Sequence, residues 1–213
     1  MKLLQFAFGA QCKKLEELGK FLPGLKNKTK KDFQNGNSKY ISYLNVFNNL
    51  KTDVSENKLV YVSELEKQNE LKYADVLFTN SSETKNESAF SSVVCDKLND
   101  KYYLNSFCFI FRFNDTSKIN PIFISHLFRS RQLRKQLINT VNGVTRFNVS
   151  KEKMKKIIIS IVPLEEQNRI ANVLDQFEKL CNDSKQGLLA EINLRQKQYE
   201  YYRDKLLTFN KSK

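Results

Sequence analysis

The 213-residue sequence has six glycines, three prolines, one histidine and no tryptophan. So few glycines leave little room for the loops that cradle phosphates, and no P-loop, G-x-G-x-x-G or H-E-x-x-H pattern occurs. A Ser/His/Asp triad would have to use His126, which lies in a helical pattern between Ser125 and Leu127 and reads as a structural residue. The four cysteines (Cys12, Cys95, Cys108 and Cys181) form no C-x-x-C pair and no zinc-type spacing, and read as idle or buried thiols. No metal site and no cofactor is expected. No apolar run reaches about 18 residues, so no membrane partner or transmembrane helix is expected. The start, Met1 to Phe8, is too short and too soon interrupted by Gln11, Lys13 and Lys14 for a secretion signal, which points to the cytoplasm.

What is present is a globular composition, 40% hydrophobic and 28% charged, with nine Tyr and sixteen Phe. The net charge is +13, which points first to nucleic acid as a partner. Part of that charge is discounted, because 28 lysines and 22 asparagines are what an AT-rich genome produces. Its distribution says more. Residues 164–213 hold nine Lys/Arg against eight Asp/Glu, so +12 of the +13 falls on residues 1–163.

Residues 1–163 read as mixed and strand-rich. Strand candidates are Lys39 to Phe47, Leu59 to Val62, Ala74 to Phe78, Ser92 to Cys95 and Tyr102 to Phe113. The run Phe107 to Phe111 predicts burial on both faces. Asn120-Pro121 opens a helix, with an apolar stripe from Ile124 to Ile138 and charge from Arg129, Arg131, Arg134 and Lys135. Lys156 to Val162 returns as a buried strand. Residues 164–213 are helical: Leu164 to Cys181 is amphipathic, and a second helix covers Gly187 to Leu207. The fold class expected is α+β, with a strand-rich domain at 1–163 and a long-helix region at 164–213. The second helix either pairs with a partner, coiled-coil fashion, or folds back on its own chain.

Two patterns suggest chemistry. Asp75 with Glu83-Thr84-Lys85 fits the loose D…E-x-K arrangement of metal-dependent nucleases, where carboxylates hold the metal and lysine polarises water or phosphate. Glu83 and Lys85 lie in a polar run that reads as a loop rather than a nuclease strand. Asn120-Pro121-Ile122-Phe123 is similar to the loop that holds an extruded base in amino-methyltransferases, but it lacks the second proline and an upstream glycine loop.

Four stretches carry a fuller resemblance. The first is the strand and loop Tyr73-Ala74-Asp75-Val76-Leu77-Phe78-Thr79-Asn80-Ser81-Ser82-Glu83-Thr84. The second is the G-x-T-like turn Gly143-Val144-Thr145-Arg146-Phe147-Asn148-Val149-Ser150, then the strand at Lys156-Ile157-Ile158-Ile159. The third is Val162-Pro163-Leu164-Glu165-Glu166-Gln167-Asn168-Arg169-Ile170, a P-L-x-E-Q-x-x-I helix start. The fourth is the helix from Gly187-Leu188-Leu189-Ala190-Glu191-Ile192 through Leu207. In this order they make the chain similar to the specificity subunit of type I restriction-modification systems.

That resemblance implies a non-catalytic chain that reads double-stranded DNA. Separate modification subunits then carry the adenine methyltransferase, and restriction subunits the nuclease and motor. A typical member has two target recognition domains joined by conserved helices, and this sequence has room for one of each. It resembles half a specificity subunit, which two-fold pairing of helices would complete as a homodimer reading a split, palindromic site. A stored half-gene product is the alternative within the family, and a nuclease using Asp75, Glu83 and Lys85 the alternative outside it. The expected DNA-contacting residues are Lys26, Lys28, Lys30, Lys31, Asn80, Ser82, Thr84, Lys85, Thr145, Arg146 and Asn148. Arg146 leads, as a planar bidentate donor beside a glycine-supported turn. Ile170, Leu174 and Phe177 are expected to dock the first helix on its own domain. Leu188, Ile192, Tyr199 and Leu206 are expected to face a partner.

Overall fold

The computed structural model describes residues 9–183 and 189–208. In chain order the elements are β1 (Gln11–Lys14), α1 (Leu15–Leu18), β2 (Gly19–Pro23), a 3-10 turn (Lys30–Phe33), β3 (Ser38–Ile41), α2 (Tyr43–Asn48), β4 (Leu59–Val60), β5 (Val76–Thr79), β6 (Ser81–Ser82), β7 (Ser91–Val93), β8 (Tyr102–Leu104), β9 (Cys108–Phe113), α3 (Pro121–Arg129), α4 (Arg131–Ile138), β10 (Val141–Asn142), β11 (Phe147–Val149), α5 (Lys151–Lys155), β12 (Ile158–Ile161), α6 (Leu164–Asp183) and α7 (Leu189–Leu207). The fold class is α+β.

The central sheet is antiparallel, in the order β2-β9-β5-β7. Its middle strands are buried on both sides, as the apolar run in β9 predicts. Phe109, Phe111 and Phe113 point with Val76 and Phe78 into a core shared with α3, while Cys108, Ile110 and Leu77 point into a second core with Ile41, Val46 and Leu104. The alternation follows from the two-residue period of a strand. Two smaller sheets flank it, β4-β3-β8 and β10-β11-β6, and β1 pairs with β12.

Three expected elements break, each at a short polar residue. The strand expected at Lys39 to Phe47 stops at Ile41, because Ser42 caps a helix: its Oγ accepts from Asn45 N–H at 3.2 Å. The strand expected at Tyr102 to Phe113 divides at Asn105, whose side-chain oxygen accepts from Phe107 N–H at 2.9 Å. Phe107, expected to be buried, is 56% exposed at the tip of that turn. The helix expected through Ile138 splits at Ser130, where the backbone is extended (φ −63°, ψ 146°).

The P-L-x-E-Q helix start has a physical account. Gln167 is fully buried, and its Nε2 donates to the carbonyls of Lys118 (2.9 Å) and Val162 (2.8 Å) while its Oε1 accepts from Asn120 N–H (2.9 Å). Asn120 in turn caps α3, accepting from the Ile122 and Phe123 N–H groups. One buried amide thus ties the strand end, the start of α6 and the start of α3 together.

The helices fold back on the body. Ile170 and Leu174 are buried in the main core, and Phe177 packs on it and stacks on Tyr202 at 5.6 Å. Tyr199 and Leu206, expected to face a partner, turn inward instead. Tyr199 is buried, with its hydroxyl 2.9 Å from His126 Nδ1, and Leu206 packs against the same core. The helical period decides this: Tyr199, Leu206 and Leu207 share the stripe facing α3, α4 and α6. Leu188 lies outside the described residues, and Ile192 lies within α7. No helix among the described residues is long and apolar enough to cross a membrane.

Candidate nucleic-acid interface

Register gathers the expected loops at one end of the central sheet. Pro23 of β2 stands opposite Phe109, and Thr79 of β5 opposite Cys108. The end of β2, the end of β5 and the start of β9 therefore coincide. The loop from Gly24, the turn at Asn105 and the loop from Asn80 all leave from there, linked by Leu25 N–H to Leu104 O (2.7 Å) and Asn80 N–H to Phe107 O (2.9 Å). A fourth segment joins them by pairing. Phe147 and Asn148 of β11 stand opposite Ser82 and Ser81 of β6, which brings the Gly143 turn beside the Asn80 loop.

Between them lies a groove of about 750 Å³, lined among others by Tyr43, Leu44, Ser82, Phe107, Thr145 and Arg146. Gly143 has φ +125°, and a Cβ there would sit 2.1 Å from the Arg146 carbonyl oxygen, so only glycine permits this turn. The turn presents Thr145 and Arg146 to solvent, and the Arg146 guanidinium makes no hydrogen bond or ion pair among the described residues. Glu83 and Glu87 also line the groove.

The expected contact residues divide. Ser82, Thr145 and Arg146 line the groove; Thr84 and Lys85 are exposed on the same loop, with the Thr84 hydroxyl donating to Glu87 at 2.5 Å. Asn80 holds backbone, its carbonyl accepting from Val149 N–H, and Asn148 is exposed on β11. Lys26, Lys30 and Lys31 are exposed but do not line the groove. The Lys28 side chain is 3% exposed and its ammonium is paired with Glu66 at 2.5 Å, so Lys28 is withdrawn from contact. The ammonium is the chief cause holding the Glu66 carboxyl at about 2.

Two residues read as solvated charges prove to build the loop. Arg134 donates to the carbonyls of Ala89 (2.5 Å), Asn86 (2.8 Å) and Ser88 (2.7 Å). Arg129 donates to Ser91 O (2.8 Å), Phe47 O (2.9 Å) and Val46 O (3.2 Å). Both guanidinium groups lie over the Phe90 ring, 4.3 Å and 4.6 Å from its centroid. Burial pulls each down to about 10, still protonated at neutral pH. Nothing in a helical charge pattern distinguishes such arginines from solvated ones. Tyr43 adds a further tie, donating to Ser81 O at 2.9 Å.

The nuclease arrangement does not assemble. The Asp75 carboxylate is buried before β5 and accepts from Arg112 Nε (2.8 Å), Arg112 Nη2 (2.6 Å) and Lys72 N–H (2.8 Å). Burial pushes that carboxyl up, and Arg112 opposes it. Glu83 and Lys85 lie past the opposite end of β5, so the three share no site. Among the described residues the donors close enough to share a cation are His126, Asp175 and Glu178, within 4.8 Å. Lys51 already supplies positive charge there, bonded to Asp175 and 3.5 Å from Glu178.

Comparison with known proteins fits this geometry. Residues 9–194 match the family described as Type I restriction modification DNA specificity domain. The MpnII type I restriction enzyme specificity subunit of Mycoplasma pneumoniae is 46% identical over 68 residues, 32% of this chain and 21% of that protein. The EcoR124I/EcoR124II specificity subunit of Escherichia coli is 38% identical over 89 residues, 42% of this chain and 22% of that protein. The crystal structure of the HsdS subunit from Thermoanaerobacter tengcongensis superposes with a TM-score of 0.58 at 17% identity, covering 97% of this chain and 49% of that one. The chain thus spans about half the length of that subunit, in the same fold. With the family matched over most of its length, the chain belongs to the type I restriction-modification DNA specificity domain family.

Proposed function

We propose that this chain is the DNA-recognition part of a type I restriction-modification enzyme. In this reading it acts in the cytoplasm without catalytic activity of its own, directing modification and restriction subunits to a target site. Residues 1–163 read DNA, and residues 164–213 dock partners. The observation that carries the reading is the groove: three loops distant in sequence converge on it, and they present an unpaired guanidinium on the part of the chain that holds most of the +13 charge. A basic body supplies salt-dependent attraction to phosphate, and Arg146 supplies a bidentate donor suited to guanine. Ser82, Thr84, Lys85, Thr145 and Asn148 flank it as secondary contacts. Lys26, Lys30 and Lys31 are assigned to the phosphate backbone.

Two copies, joined through their helical regions, would read the halves of a split palindrome. Tyr199 and Leu206 are engaged within the chain, so the seam is assigned to the exposed Leu194 and Tyr201 of α7.

Co-expression with a modification subunit from the same genome, followed by mapping of methylated adenines, tests this. A palindromic interrupted motif is expected, and Arg146→Ala is expected to lose or relax one position in each half without loss of folding. Absence of methylation with both proteins soluble, or an unaltered motif in Arg146→Ala, overturns the assignment.

A further inference from the structure

Resting on that DNA-reading assignment, we infer that Phe107 reads a thymine through its 5-methyl group, beside the base pair engaged by Arg146. Among the described residues Phe107 is the one phenylalanine with a largely exposed side chain, at 56%. It is not exposed because its segment is loose. Its N–H donates to Asn105 Oδ1 at 2.9 Å, the next N–H, of Cys108, donates to Asn105 O at 3.0 Å, and its carbonyl accepts from Asn80 N–H at 2.9 Å. The ring is therefore held out by a fixed turn, which keeps the ordering cost of a contact low. Leu44, 60% exposed, lines the same groove.

The occupant follows from charge and from the shape of base edges. Basic charge on this part of the chain suits a polyanion. Glu83 and Glu87 on the groove wall disfavour a phosphate track through its middle and suit base edges, where a carboxylate accepts from cytosine N4. On the major-groove edges of the four bases, the thymine methyl is the apolar feature, and an apolar side chain is its partner. Ser82, Thr145, Arg146 and the carboxylates can serve polar edges. Phe107 and Leu44 cannot, so the base that matches them is thymine.

The test uses the complex of this chain with its modification subunit and two random-sequence duplex libraries, one with thymine and one with deoxyuridine throughout. Deoxyuridine pairs as thymine does and lacks only the methyl. The thymine library is expected to yield a motif with a required thymine. The deoxyuridine library is expected to lose that preference, with affinity about 5–10-fold weaker. Phe107→Ala should bind the thymine library as weakly as the native chain binds the deoxyuridine library, with no further fall on deoxyuridine. Phe107→Leu, which stays apolar, should keep most of the preference. A native motif selected equally from both libraries refutes the methyl contact and leaves DNA reading standing. No motif from either library at any salt overturns both.

Discussion

Replacing Arg134 with alanine tests whether a buried guanidinium builds the recognition loop. The side chain donates three charge-assisted hydrogen bonds, to Asn86, Ser88 and Ala89, and covers one face of Phe90. Such bonds are each worth about 1.5–3 kcal/mol, and a ring-stacked cation about 0.5–1 kcal/mol more. Solvent reaches part of the site and rehydrates the Asn86 carbonyl after truncation. Ser88 and Ala89 are fully buried, so their carbonyls lose partners outright. The expected net loss is about 3 kcal/mol, which for a domain of this size lowers Tm by roughly 6–12 °C. Arg134→Lys keeps the charge but not the fork, and should recover less than half of that. Urea unfolding gives the free energy, and amide hydrogen exchange across residues 83–90 localises it. A loss under about 1 kcal/mol with unchanged exchange in that loop would refute the reasoning.

Three further outcomes are expected. Gly143→Ala forces a Cβ against the Arg146 carbonyl at positive φ, so it should cost about 1–3 kcal/mol and weaken DNA binding by displacing the turn; an unchanged Tm and affinity would count against it. Gln167→Leu strands one buried N–H and two carbonyls, for a loss of about 2–4 kcal/mol in denaturant titration, and near-native stability would show that the amide is not the tie it is taken for. The His126 imidazole, 3.8 Å away, and the Lys51 ammonium hold the Asp175 carboxyl at about 2 against its burial. A depressed carboxylate stabilises above its unfolded value and loses that contribution as pH falls, so stability should drain between about pH 4 and pH 2. Asp175→Asn should be less stable at pH 6 and should flatten that decline; parallel curves for the two proteins would exclude Asp175 as its source.

Much of the architecture is legible in residue order. Alternation in Phe109 to Phe113 marks a strand buried on both faces, Asn120-Pro121 marks the start of α3, and the steps between Ile170, Leu174 and Phe177 mark the docking stripe of α6. Ser42, Asn105 and Ser130 are short polar residues that interrupt runs otherwise favourable to one element. Propensity summed along a window misses such breaks, because one side-chain hydrogen bond to the backbone outweighs several weak preferences. Arg129, Arg134 and Lys28 carry the same letters whether they meet water, a carbonyl or a carboxylate, and only their neighbours in space decide which.

The sequence by itself determines the α+β class, the basic character of residues 1–163 and the order of motifs that carries the family. These depend on local periodicity, charge and spacing, which are properties of neighbours along the chain. Tertiary structure alone decides that the turn at Gly143, the loop after β5 and the turn at Phe107 share one groove, that Asp75 and Glu83 do not share a metal, and that Tyr199 faces its own core. Each of these depends on pairings between residues tens of positions apart, set by strand register and by which helical stripe finds apolar surface to cover.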